Sequence, residues 1–152
     1  MRAARRVRWA LTVILACLIG VQFVRADRTN PPAAPAASLV PAMPPAVAAI
    51  LNRSCRDCHS NETRWPWYSH VAPVSWLVAW DVHQGRDHFN YSEWTAYSAD
   101  DQDKLLNGVC SLTRRHRMPL PSYLRVHRGA KLSDDDVKTL CAWSDKMRDT
   151  LQ

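Results

Sequence analysis

The stretch "SCRDCHSNETRWPWYSH", residues 54–70, packs two cysteines, two histidines and three large aromatic rings into seventeen positions. Its core, Cys55-Arg56-Asp57-Cys58-His59, is a CxxCH motif. A zinc site, a redox dithiol, a haem attachment site and chance are the competing explanations. Structural zinc takes four ligands, usually as two spaced pairs. Cys110 and Cys141 lie far apart in sequence, and neither has a paired ligand beside it. A thioredoxin-like dithiol belongs in a βαβ context, and no strand pattern surrounds this motif.

Haem attachment fits the spacing. Thiols at i and i+3 lie along one porphyrin edge and add to its vinyl groups. The adjacent imidazole reaches the iron. Cys55 and Cys58 are therefore the candidate thioether sites and His59 the proximal ligand. The implied cofactor is one covalently bound haem c. Met118, in "RMPLPSY", is the leading candidate for the opposite ligand. Prolines on both sides of Leu120 stiffen its loop, and a thioether opposite histidine raises the reduction potential. The residues leave alternatives: His116, another histidine, an open site, or Met118 as a core filler. Met43 and Met147 are weaker rivals. His70, His83, His88 and His127 read as solvent-facing or locally hydrogen-bonded.

The charge of the rest of the chain points to export. Of 20 basic residues, five arginines fall in residues 1–26, which carry no acid; 15 basic against 14 acidic residues remain. A nucleic-acid role needs a basic excess on the folded part, and none is left there. Trp9 to Val24, "WALTVILACLIGVQFV", follows four arginines, the pattern of an export signal or N-terminal anchor. Residues 1–26 are read as a signal sequence or membrane anchor, with cleavage after Ala26 as the alternative to retention. Residues 27–45 hold six of the ten prolines and no periodic apolar face. Such a segment reads as an extended spacer. Residues 46–152 remain as the haem-binding domain.

That domain is expected to be all-α: a small cytochrome c-like fold of four to five short helices around one haem. Helices are expected into the cysteine motif, through "APVSWLVAWDVHQGRDH", after Ser98, and after Ser133. "MPLPSYLRVHRGAKL" reads as a proline-broken loop. In an oxidising compartment two remaining cysteines tend to pair. Cys110 and Cys141 are thus a candidate disulfide, against two buried free thiols. Trp65, Trp67, Tyr68, Trp76, Trp80, Trp94 and Trp143 offer aromatic surface for a haem or an ordinary core.

"CRDCHSNETRWPWYSHVAPVSWLVAWDVHQGRDHFNYSEW" (55–94) and "MPLPSYLRVHRGAKLSDDDVKTLCAW" (118–143) resemble the bacterial haem-binding-domain family of exported mono-haem c-type cytochromes. The resemblance implies Cys55 and Cys58 as thioether sites, His59 as proximal ligand and Met118 opposite. Arg115-His116-Arg117 departs from the small or acidic residue usual before that methionine. A haem closed by Met118 needs little reorganisation and has no site for substrate, so the expected role is an electron carrier, not an enzyme. It would be N-terminally anchored on the periplasmic side of the bacterial inner membrane, or soluble in the periplasm if cleaved, and would serve a redox partner protein. Arg114, Arg115, Arg117, Arg125 and Arg128 would dock an acidic partner. The alternatives are a haem-based sensor and a peroxidase-like enzyme.

Overall fold

The computed structural model describes residues 2–32 and 34–151. Among them the regular structure is entirely helical, as the turn-poor, periodic sequence leads one to expect. α1, Arg2–Gly20, continues into a short 3₁₀ turn at Val21–Phe23. Together they form one apolar helix of 22 residues with none of its most apolar window buried. Its length and composition suit a membrane span or an export signal equally.

Six α-helices follow. α2, Pro45–Ser54, starts with proline in its first turn, where a missing N–H costs nothing. It buries Val47, Ile50 and Leu51 at i, i+3 and i+4. α3 is the single turn Arg56–His59, and α4 spans Val74–His88. α5, Ala99–Arg114, is capped by Ser98, whose hydroxyl accepts from the Asp101 N–H. α6, Pro121–Val126, is one and a half turns. α7, Asp134–Asp149, opens with a reciprocal capping box between Ser133 and Asp136.

α6 lies in the stretch expected to be a proline-broken loop. Proline ends a helix from inside but starts one at the first position, and Pro121 occupies that position.

α5 and α7 form the most extensive helix pair, with Leu106 and Leu140 fully buried. α2 and the segment 89–94 complete the core through Val47, Ile50, Leu51, Phe89, Tyr91 and Trp94. Leu39 joins it at 1% exposure, its N–H donating to the Tyr91 carbonyl at 2.8 Å. The Pro/Ala-rich segment is therefore no free spacer. Arg28 donates to the Ser69 carbonyl at 2.8 Å and Asn30 to the Thr63 carbonyl at 2.9 Å. Composition had removed any periodic face from this stretch, yet one leucine and a few polar side chains suffice to fasten it.

Cys110 and Cys141 are bonded, joining α5 to α7 across a sequence separation of 31. Closing a loop of that size in the unfolded chain stabilises the fold by about 3–4 kcal/mol. Reduction under non-denaturing conditions is expected to lower the denaturant midpoint accordingly; an unchanged midpoint would show that the bridge adds nothing.

Candidate functional site

The site is built on a break between α2 and α3. Cys55 has φ −128°, outside helical geometry, so α2 ends and one new turn begins. The Cys55 carbonyl then accepts from the N–H groups of Cys58 (3.2 Å) and His59 (3.0 Å). This turn brings the thiols of Cys55 and Cys58 to one side. Neither is in a disulfide, and both are partly buried. Burial pushes the Cys55 thiol up to about 12, helped by its neighbour Cys58. Burial does the same to Cys58, pushed up to about 12, with Asp81 and Asp57 adding to it. Redox dithiols lower a thiol pKa; this environment raises both. Among the described residues no group of three or more His, Cys, Asp or Glu forms a metal cluster, so these side chains assemble no four-ligand zinc site.

His59 sits beside the Phe89 carbonyl, with Nδ1 at 2.8 Å. Nδ1 is therefore assigned the proton and donates it, which leaves the Nε2 lone pair free. Burial holds its pKa below the ordinary histidine value, although the hydrogen bond to Phe89 works the other way. A neutral imidazole with one nitrogen tied to a carbonyl is the usual form of a metal-bound histidine. The Phe89 ring lies 5.7 Å from the imidazole and fixes its plane.

The residues after the motif fold back to hold it. The Ser60 hydroxyl donates to the Arg56 carbonyl at 2.8 Å and Thr63 Oγ1 to the Asp57 carbonyl at 2.7 Å. Asn61 accepts from Asn90 Nδ2 at 2.7 Å. α4 crosses directly over the turn at Gly85, where a Cβ would stand 2.5 Å from the Cys58 carbonyl oxygen. Next to it, Arg86 donates to Ser60 O, Thr29 O, Asn30 Oδ1 and Thr63 Oγ1, at 2.8–2.9 Å.

Met118 is half-buried in the loop after α5. That loop begins with a Schellman closure: the His116 N–H bonds to Thr113 O at 3.0 Å and the Arg117 N–H to Leu112 O at 2.9 Å. His116 occupies the left-handed position, φ 53°, usually taken by glycine, and its side chain is exposed. Its position terminates α5. Beyond Met118, Tyr123 on α6 donates to Asp57 Oδ2 at 3.0 Å, which ties the Met118 segment to the CxxCH turn. Tyr123 also stacks on His127 at 4.0 Å, and His127 Nε2 lies 3.1 Å from the Tyr68 hydroxyl. His88 bonds back to its own helix at Gln84 O, and His83 faces Asp27 at 4.0 Å. His70 is exposed.

Gly85, Arg86, Asp57, Tyr123 and the Phe89 carbonyl were not singled out from the sequence. "GRDHFN" carried a usable signal, a glycine in mid-helix followed by an arginine. Of the tryptophans, Trp94 and Trp143 belong to the core, whereas Trp67, Trp76 and Trp80 are exposed.

The donor set fits a c-type haem: two free neutral thiols on one turn, an imidazole with its outer nitrogen bonded and its inner one free, and a helix crossing that tolerates no Cβ. Large apolar side chains at Trp67, Leu77, Leu112 and Val126 also stay uncovered by protein.

The chain is 24% identical over 102 residues to the cytochrome c peroxidase Ccp of Escherichia coli (strain K12). The match takes in 65% of this chain but only 22% of that relative, so the chain spans about a fifth of it. The relative is an enzyme, which overturns the expectation that this chain is not one. That expectation rested on Met118 closing the iron, and a flexible thioether on a loop is no proof of a permanently closed site. No solved structure gives a significant match. The haem-binding domain family matches residues 16–146, and the chain belongs to the haem-binding domain family.

Proposed function

We propose that the chain is a mono-haem c-type redox domain that passes single electrons between protein partners at the outer face of the bacterial inner membrane. Cys55 and Cys58 would hold the porphyrin, and His59 Nε2 and Met118 would ligate the iron. The haem supplies a one-electron couple. Phe89 O keeps the His59 ring oriented and its inner nitrogen basic. Asp57 and Tyr123 hold the two ligand segments together, which limits movement between oxidation states. The observation that carries the reading is the bond from His59 Nδ1 to Phe89 O beside two free cysteines on one turn.

The docking face of this reading is basic. From Lys104 to Leu132 the chain has no carboxylate. Arg114, Arg115, Arg117, Arg125 and Arg128 are exposed there, and none forms an ion pair among the described residues. Such a face favours an acidic partner and an association rate that falls with salt. Residues 1–26 would anchor the chain; cleavage after Ala26 would leave it soluble in the periplasm.

The match to a cytochrome c peroxidase favours a second reading, reduction of peroxide at a site from which Met118 withdraws. Oxidised and reduced spectra of the holoprotein, with and without Met118→Ala, separate the two. The electron-carrier reading predicts a methionine–iron charge-transfer band that the substitution removes. Steady peroxide consumption by the native protein would shift the conclusion to the second reading.

A further inference from the structure

The outer end of α1 is bonded to the start of α4. Gln22 Nε2 donates to Ala72 O at 3.0 Å, and Gln22 Oε1 accepts from Ala72 N at 3.0 Å. Trp76 Nε1 donates to Val24 O at 2.8 Å. A cleft of about 250 Å³ lies between these elements, lined by Gln22, Arg25, Arg28, His70, Ala72 and Ser75 among others. The charged side chains in it are Arg25 and Arg28, and neither forms an ion pair among the described residues. Asp27, the carboxylate nearest in sequence, is turned to the Thr29 N–H (3.0 Å) and to His83 (4.0 Å).

Trp76, bonded to the cleft-lining Val24, borders this cleft, and Trp80 follows one turn further along α4. Trp76 is 37% and Trp80 61% exposed. Counting back from Gly85, which abuts Cys58, Trp76 lies roughly half a turn round α4 and Trp80 roughly 140° round. They point away from the CxxCH turn, so the haem reading does not account for their exposure. An indole with an apolar body and a polar edge is the side chain of the membrane–water interface. α1 is long and apolar enough to reach that interface, and its far end carries Arg2, Arg5, Arg6 and Arg8.

We propose that this cleft binds the phosphate headgroup of an anionic phospholipid at the outer surface of the membrane that α1 crosses, with Trp76 and Trp80 seated in the interface beside it. The proposal rests on the reading that α1 is retained as an anchor. The domain then lies on the membrane and is not raised above it. Its orientation is set by three points: the span, the indole pair and the bound headgroup.

The test uses the full-length holoprotein carrying Trp9→Phe, which removes the tryptophan of the span itself, in vesicles of equal parts phosphatidylcholine and phosphatidylglycerol, with bromine on the acyl chains of one lipid at a time. Tryptophan quenching then reports which lipid surrounds the indoles. Each arginine near an anionic surface is worth roughly a fivefold enrichment. Brominated phosphatidylglycerol is therefore expected to quench more than brominated phosphatidylcholine. Arg25→Gln with Arg28→Gln should equalise the two, and lysine at both positions should keep the preference. Trp76→Phe with Trp80→Phe should remove most of the quenching by either lipid. Equal quenching in the native protein would overturn the proposal. Loss of the preference on adding inorganic phosphate would also overturn it, assigning the cleft to a soluble anion. The mass of the membrane-extracted chain is read first. A chain beginning after Ala26 overturns the anchor reading and the proposal with it; a full-length chain without lipid preference overturns the headgroup site alone.

Discussion

Gly85→Ala is expected to destabilise the protein by about 2–3 kcal/mol and to lower the yield of haem-loaded chain sharply. The direction is the informative part. Glycine inside a helix ordinarily costs about 1 kcal/mol relative to alanine, so the same substitution at an open helical position stabilises. Position 85 is not open. An added Cβ would stand 2.5 Å from the Cys58 carbonyl oxygen, 2.9 Å from its Cβ and 3.0 Å from its carbonyl carbon. None of those atoms can rotate away. Relief requires α4 to lift off α3, and α3 carries both thiols and His59. Gly108 gives the internal control: it sits within α5 with nothing near its Cβ direction, and Gly108→Ala should be neutral or stabilising. Denaturant midpoints of the three proteins decide the matter, and equal behaviour of the two variants would refute the close crossing.

Arg86→Ala should cost a similar amount, about 2–4 kcal/mol, through a different physical route. The guanidinium bonds to four acceptors on two segments, the Thr29–Asn30 strap and the Ser60–Thr63 loop, and so ties both to α4. All four acceptors are neutral, so this is not an ion pair that salt would screen. One of them, the Ser60 carbonyl, is partly shut off from water and loses its only side-chain donor. Lysine would not substitute, because a single ammonium cannot span the planar fork. Arg86→Lys should therefore recover less than half the loss. Limited proteolysis adds a local readout, since the strap should become the first point of cleavage in both variants. A midpoint within about 0.5 kcal/mol of the native protein would show that the network is ornamental.

What could be seen in advance was what is local. CxxCH is a one-turn pattern, and the turn that forms it is bounded by its own backbone bonds. Ser98 and Ser133 announce their helices because a cap acts within four residues. The content of α7 followed from one apolar face, and Leu140, Cys141 and Trp143 are buried there. What escaped was tertiary. Leu39 has no periodic neighbours to advertise it, yet it is among the most buried residues. Gly85 looks like any mid-helix glycine until α3 is placed against it. Arg86 reads as a surface charge, because its acceptors come from residues 29 to 63. Proline beside an expected loop reads as a breaker, whereas Pro121 acts as a helix starter. The backbone of His116 closes α5 in a position that sequence would assign to glycine.

The link between Asp57 and Tyr123 explains why a motif residue that is neither thiol nor ligand matters. Asp57 accepts from Tyr123 Oη and from the Arg64 N–H, so one carboxylate organises both the CxxCH turn and α6. The Met118 segment is thereby registered to the CxxCH turn through a direct bond, not only through the core.

The central claim is that Cys55, Cys58 and His59 hold a haem covalently. It is tested most directly by denaturing the full chain, purified from cells with c-type haem-maturation machinery, and measuring its mass and its pyridine haemochrome spectrum. The account predicts one haem per chain surviving denaturation, abolished in the Cys55→Ala, Cys58→Ala protein and retained in His59→Ala, whose spectrum before denaturation is altered. A chain that loses its haem on denaturation, or keeps it when both cysteines are gone, would contradict it.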